Sequence, residues 1–309
     1  MSAIIHIENL SKRFNEIQAV NNLSFSVAKA EVYGFLGQNG AGKSTTIRML
    51  LTLIRPTQGS IHIFKKNIRT SRKEILKNVG AIIEKPDLYN YLTALENLAI
   101  MAKLSGLNPS QKELIQQLER VGIAERANSK VKTFSQGMKQ RLGIACALIH
   151  NPELIVLDEP TNGLDPQGIA DMRNLILRLS KEEGKTVFVS SHLLSEIEVI
   201  ADSMLIIDKG VKIAEGRVAD LLNPSDTLVQ IEATNRQDAF NIIRQSQWNN
   251  FLQPSHKIVL KMHRKQIPQL VKYLADNNID IVSVEHKHSL ENYFLSLTTA
   301  NQHVATYKN

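Results

Sequence analysis

The chain has 309 residues, 43% hydrophobic and 22% charged, enough for one large α/β domain plus a smaller one with its own core. Its single cysteine, Cys146, excludes an internal disulfide framework, and its place in the apolar run Ile144-Ala145-Cys146-Ala147-Leu148 reads as a buried, inert thiol in a reducing cytoplasm. No stretch approaches the ~18 consecutive apolar residues of a membrane span, and the net charge of +7 is scattered rather than gathered in a block, so a soluble chain with no nucleic-acid partner is expected.

In chain order, Ile5-His6-Ile7 and Leu23-Ser24-Phe25-Ser26-Val27 alternate apolar and polar residues as antiparallel strands do. Glu31 to Leu36 reads as a buried strand running into Gly37, and Lys43 to Leu53 has helical character. From Pro86 to about Ile149 the pattern is mostly helical, with helices predicted over Ala94 to Lys103, Gln111 to Val121 and Gln136 to Ile149. Strands return at Leu154 to Leu157, Thr186 to Ser190 and Met204 to Ile207.

A polar, turn-forming boundary falls at Asn223-Pro224-Ser225. Beyond it, Thr227 to Ala233 reads as a strand, Gln237 to Gln245 as a helix, and Ile258, Leu260 and Met262 as alternate positions of another strand. Ile267, Leu270, Val271 and Leu274 follow helical spacing, Ile281 to Val284 is strand-like, and helical spacing recurs at Leu290, Tyr293, Phe294 and Leu297. With Phe251-Leu252 as a short strand, the order becomes βαββαβ plus a helix, a ferredoxin-like arrangement.

The chemistry begins at Gly37-Gln38-Asn39-Gly40-Ala41-Gly42-Lys43-Ser44-Thr45, a P-loop pattern set between a predicted strand and a predicted helix. Its glycines let successive backbone N–H groups wrap the phosphates of a nucleotide. Lys43 reaches the β and γ phosphates, and Ser44 offers a hydroxyl to Mg²⁺. The buried run Leu154 to Leu157 delivers Asp158 and Glu159 at a strand end, where ligands of open α/β sheets collect. Asp158 is the candidate Mg²⁺ ligand and Glu159 the candidate general base. In Ser135-Gln136-Gly137-Met138-Lys139-Gln140-Arg141, Ser135 caps a helix whose positive end attracts phosphate, and Gly137 leaves room for a close anionic approach.

From about Ile4 to Val218 these motifs, in this order, resemble the ATP-binding cassette family. The resemblance implies a P-loop NTPase α/β cassette over 1–222, comprising a mixed sheet core, an antiparallel β subdomain and a helical subdomain at about 86–150. An α+β accessory domain over 226–299 and a tail over 300–309 would follow. It also implies that Ser135 to Arg141 is the signature motif, Asn162-Gly163-Leu164-Asp165 the D-loop and His192 the switch histidine beside Lys43 and Glu159. Phe14 would stack on adenine and Val20 support the same base. Two copies would pack head to tail, each ATP lying between Lys43 of one and Ser135 and Gly137 of the other.

The sequence departs from the family pattern twice. Gln136 stands where Gly is usual, and Glu84 stands where most cassettes carry Gln, adding a carboxylate near the metal and making Glu84 a further candidate Mg²⁺ ligand. Glu84, with Pro86, Tyr89, Tyr91-Leu92-Thr93, Glu96-Asn97-Leu98 and the ending Ser289-Leu290-Glu291-Asn292-Tyr293-Phe294-Leu295, resembles ATP-binding subunits of bacitracin-type and lantibiotic exporters. The implied function is ATP hydrolysis driving export through a separately encoded integral membrane permease, with this subunit cytoplasmic and peripheral on the membrane's inner face. Residues about Lys85 to Lys130 are the expected permease contact. An importer ATPase, or a non-transport cassette acting on the ribosome or nucleic acid, is the alternative.

Overall fold

A computed structural model describes residues 3–222 and 227–288 and divides the chain into two compact units, Met1–Arg217 and Val218–Asn309. The boundary triplet Asn223-Pro224-Ser225, the helical spacing from Leu290 to Leu297 and the tail over 300–309 lie outside the described residues.

The first unit opens with two long antiparallel strands, β1 (Ala3–Phe14) and β2 (Ile17–Ala28), then β3 (Val32–Gly37) and α1 (Lys43–Leu50). Helix α1 stops three residues short of Leu53 because Thr52 turns left-handed, with φ of 60°. Next come β4 (Gln58–Ile63), β5 (Lys66–Asn67), the short α2 (Arg72–Leu76) and β6 (Val79–Ile82). The helical stretch follows as α3 (Ala94–Leu104), α4 (Gln111–Arg120) and α5 (Gln136–Leu148). Thr93 and Ser110 open α3 and α4 with reciprocal capping boxes to Glu96 and Glu113, which satisfies backbone donors that a helix start leaves free. The unit closes with β7 (Leu154–Asp158), α6 (Pro166–Lys181), β8 (Thr186–Ser191), α7 (Leu194–Ile200), β9 (Ser203–Asp208) and β10 (Val211–Arg217).

These strands form two sheets. One is antiparallel, in the order β2-β1-β4-β5; the other runs β10-β9-β3-β8-β7-β6 and is parallel throughout except for β10. Every residue of β3, β7 and β8 is buried, as parallel strands covered on both faces require. Phe25 of β2 stacks on Tyr33 and Phe35 of β3 and on Phe188 of β8, with ring centroids 5.7 to 6.1 Å apart. This aromatic layer joins the two sheets in one core. Cys146 is buried on α5, and burial pushes its thiol up to about 12.

The second unit contains α8 (Val218–Leu221), β11 (Thr227–Ala233), α9 (Arg236–Arg244), β12 (Ile258–Met262), α10 (Ile267–Asp276) and β13 (Ile281–His288). Pro268 sits in the first turn of α10, where its missing N–H costs nothing. The antiparallel sheet has the order β12-β11-β13 and carries a core of Val229, Ile231, Ala239, Ile243, Trp248, Leu260, Leu270 and Leu274. The expected strand at Phe251-Leu252 is not formed. Gln247–Phe251 is a 3-10 turn capped by Ser246, which sinks Trp248 into the core, and only Leu252 makes an isolated bridge to Leu260. The Gln253 N–H still donates to the Val259 carbonyl at 2.9 Å, and Pro254, lacking an N–H, ends the pairing there. The ferredoxin-like edge strand is thus reduced to one bridge.

Candidate functional site

The turn between β3 and α1 is shaped by its glycines. Gly40 and Gly42 have φ of 82° and 106°, and a Cβ on Gly42 would stand 2.6 Å from the carbonyl oxygen of Ala19. Only glycine fits there, so the chain enters α1 with its free backbone donors facing the loop. Ser44 and Thr45 are half-buried in the first turn of α1, while Asn39 and Gly40 are exposed. Lys43 folds back over the loop, is 5% exposed, and donates to the carbonyls of Gly37 (2.7 Å) and Gln38 (3.2 Å). Its third proton serves Glu159 Oε1 at 3.0 Å.

Glu159 lies just past the end of β7 on left-handed backbone, with φ of 49°. Its other oxygen, Oε2, accepts a hydrogen bond from His192 Nδ1 at 2.8 Å. The structure therefore brings the P-loop lysine, the candidate base and the candidate switch histidine into one chain of contacts. Beneath it, Ser190 Oγ donates to Asp158 Oδ1 (2.5 Å) and accepts the Glu159 N–H (2.9 Å). Asp158 is 2% exposed, and its Oδ2 is buried without a hydrogen-bond partner. A buried, unsatisfied carboxylate oxygen costs about 1–3 kcal/mol or more, so this atom suits a cation.

No group of three or more His, Cys, Asp or Glu side chains among the described residues is arranged to hold a metal. Mg²⁺ does not require one: it binds readily through one carboxylate, a hydroxyl and substrate phosphates. Asp158 and Ser44 fit that donor set.

Glu84 is not brought into this chain. It follows β6 on left-handed backbone (φ 60°), is 63% exposed, and pairs with Arg48 at 2.6 Å. Arg48 lies one helical turn beyond Ser44 on α1, on the same helix face. Pro86 follows, and a Cβ on Gly143 of α5 would come within 2.5 Å of it. The Glu84 loop thus rests directly on the helix that begins at the signature motif.

At that motif Ser135 is exposed and caps α5, its Oγ accepting the Met138 N–H at 3.3 Å. Gly137 has room for a Cβ, whose nearest neighbour would be Leu164 at 3.8 Å. Asp165, also exposed, caps α6 by accepting the Gly168 N–H at 2.9 Å. Ser135, Gln136, Gly137, Gly163 and Asp165 line one open cleft of ≈ 740 Å³, and Arg141 of α5 pairs with Asp171 of α6 beside it. The adenine candidates separate: Phe14 is 44% exposed under Lys12, at 4.7 Å, whereas Val20 is fully buried behind Gly42.

Sequence reasoning did not single out Ser190, Arg48, Thr161 or Glu196. Ser190 was marked by a legible signal, a polar pair ending the apolar run Val187-Phe188-Val189. The other three needed the tertiary contacts.

A family model described as ABC transporter matches residues 20–162. The bacitracin transport ATP-binding protein BcrA of Bacillus licheniformis is 42% identical over 300 residues, covering 96% of this chain and 98% of that protein. The lantibiotic transport ATP-binding protein SrtF of Streptococcus pyogenes is 43% identical over 212 residues, 69% of this chain and 90% of that protein. A solved ATP-binding cassette, dimeric in a post-hydrolysis state and bound to ADP and Pi, is 26% identical with a TM-score of 0.63 over 69% of this chain and 98% of its own.

Proposed function

This chain belongs to the ABC transporter family as an ATP-binding, ATP-hydrolysing subunit, and we propose that it powers export of a peptide antibiotic or related amphiphile through a separately encoded membrane permease. The observation that carries the proposal is the end-to-end identity of 42% with a bacitracin transport subunit, which extends through the second unit as well as the cassette. No helix among the described residues is long and apolar enough to cross a membrane, which fits a subunit held at the inner face by its permease.

In the proposed mechanism, the backbone N–H groups of Gly37 to Thr45 hold the phosphates of ATP. Lys43 exchanges its contact with Glu159 for phosphate oxygen, which frees Glu159 Oε1. Glu159 then accepts a proton from the attacking water, while the His192 Nδ1 contact fixes the other oxygen and so the orientation of the carboxylate. Ser44 and Asp158 would hold Mg²⁺, which would supply charge stabilisation when bound. Glu84 stays on Arg48 and forms the hinge between the metal side and the Pro86 contact on α5.

The exposed Ser135 and Asp165, with the half-buried Gly137, are proposed to complete the site of a second, head-to-tail copy, because the start of α5 presents a capped, positive helix end to solvent. The solved post-hydrolysis dimer of a related cassette supports that reading. The α+β region expected over 226–299, within the second unit, is proposed as an accessory domain to this core.

The test is a susceptibility panel of bacitracin and lantibiotics on cells whose chromosomal copy carries Glu159→Gln. Loss of tolerance to at least one compound is expected, and wild-type tolerance across the panel overturns antibiotic export.

A further inference from the structure

We propose that Glu196 is a positioning residue for ATP hydrolysis, holding Thr161 and Ser191 so that Glu159 and His192 stay in register. The proposal rests on the reading of Glu159 as general base. One oxygen of Glu196, Oε2, accepts two hydroxyl hydrogen bonds, from Thr161 Oγ1 at 2.7 Å and from Ser191 Oγ at 2.8 Å. All three residues are buried, with exposures of 8%, 3% and 6% for Thr161, Ser191 and Glu196.

Each hydroxyl belongs to a segment that carries a member of the Lys43–Glu159–His192 chain. Thr161 is two residues after Glu159, and Ser191 immediately precedes His192. Glu196 itself comes from the first turn of α7, a third element. Glu159 sits on left-handed backbone, a conformation that persists only where the surroundings over-determine it. Ser190 fixes the Glu159 N–H from one side. On the other side the Asn162 N–H donates to the Glu159 carbonyl (3.1 Å) and the Leu164 N–H to the Thr161 carbonyl (3.2 Å), carrying the turn on to Asp165. Ser191 Oγ also accepts the Leu193 N–H at 3.0 Å, closing the turn around His192. Besides the Ser190 and His192 contacts to Glu159, Glu196 ties these two turns to each other through both hydroxyls, and no atom of it need touch ATP.

Removing it leaves two buried hydroxyls without their acceptor and lets the segments drift. Sub-ångström misplacement of a catalytic group costs rate more than binding. The experiment measures ATPase kinetics on the full chain with Mg²⁺ and ATP, alongside stoichiometric ATP binding to count folded sites. Glu196→Ala is expected to lower kcat about tenfold to a hundredfold while KM for ATP stays within about threefold. Glu196→Gln, which keeps an acceptor oxygen, restores kcat to within about threefold of wild type. Thr161→Val lowers kcat in the same direction and adds little on top of Glu196→Ala, because the Thr161–Glu196 contact it removes is already lost there.

Should Glu196→Ala fail to fold, Thr161→Val and Ser191→Ala carry the test, since each deletes one hydroxyl and leaves the carboxylate. Wild-type kcat in those variants, or a loss in Glu196→Gln as large as in Glu196→Ala, overturns the positioning role. Glu159→Gln is run in parallel: if it turns over normally, the reading of the base fails, whereas a slow Glu159→Gln beside a fast Glu196→Ala sinks the positioning role alone.

Discussion

Two glutamates leave neighbouring parallel strands on the same left-handed backbone, Glu84 after β6 and Glu159 after β7, and their surroundings divide them. Glu159 is 19% exposed and held by Lys43 and His192; Glu84 is 63% exposed and held, among the described residues, by Arg48. A shared turn geometry therefore does not assign a shared role. In the proposed mechanism Glu159 gains its chemistry from a lysine that phosphate draws away and a histidine that orients it. Glu84 gains a surface partner and a neighbour, Pro86, that touches the signature helix.

The contrast can be broken most directly by exchanging each carboxylate for its amide. Glu159→Gln should lower kcat by about 10² to 10⁴ while ATP still binds, as expected for loss of a general base, measured by steady-state ATPase assay and nucleotide binding. Equal losses in Glu159→Gln and Glu84→Gln would erase the distinction. Lys43→Ala should weaken ATP binding by about tenfold or more, read by equilibrium binding, because it removes the charge that meets the phosphates. Unchanged affinity would detach Lys43 from the nucleotide.

Glu84→Gln should leave ATP affinity within about threefold and act on coupling instead, lowering antibiotic tolerance relative to ATPase activity. Arg48→Gln should reproduce that phenotype, while changing unfolding free energy by no more than about 1 kcal/mol, since exposed ion pairs contribute little. A larger stability loss would show that the pair is structural. The smallest effect concerns a carboxylate outside both turns. Glu96 is held below its ordinary value by the Thr93 backbone N–H first and the Thr93 hydroxyl second. Its folded value is the lower one, so its cap supports α3 above the unfolded carboxylate range and is lost as pH falls through the folded value. An NMR titration of Thr93→Ala should move the Glu96 midpoint upward.

Much of this was legible along the chain because the signals are local. The P-loop is contiguous and its glycines announce the turn. Asp158 and Glu159 end an apolar run, and Ser135 opens a helix by a cap that needs only three following residues. The failure at Phe251-Leu252 is also local in cause: apolar alternation favours a strand, but Ser246 capping and Pro254 favour a 3-10 turn, and burial of Trp248 decided between them. Val20 was legible as a small apolar residue but not as a buried one, because its covering by Gly42 comes from a loop more than twenty residues away.

By itself the sequence determined which residue types stand at strand ends and helix starts, and hence the cassette and its nucleotide chemistry, because backbone wrapping, capping and strand burial are properties of short segments. Only the tertiary structure decided which carboxylate meets which cation: Lys43 with Glu159, Arg48 with Glu84, and Glu196 with two hydroxyls from separate turns. Those pairings depend on the order of β3, β8, β7 and β6 in one sheet, which brings together residues that lie up to 116 positions apart, as Lys43 and Glu159 do by numbering (159 − 43).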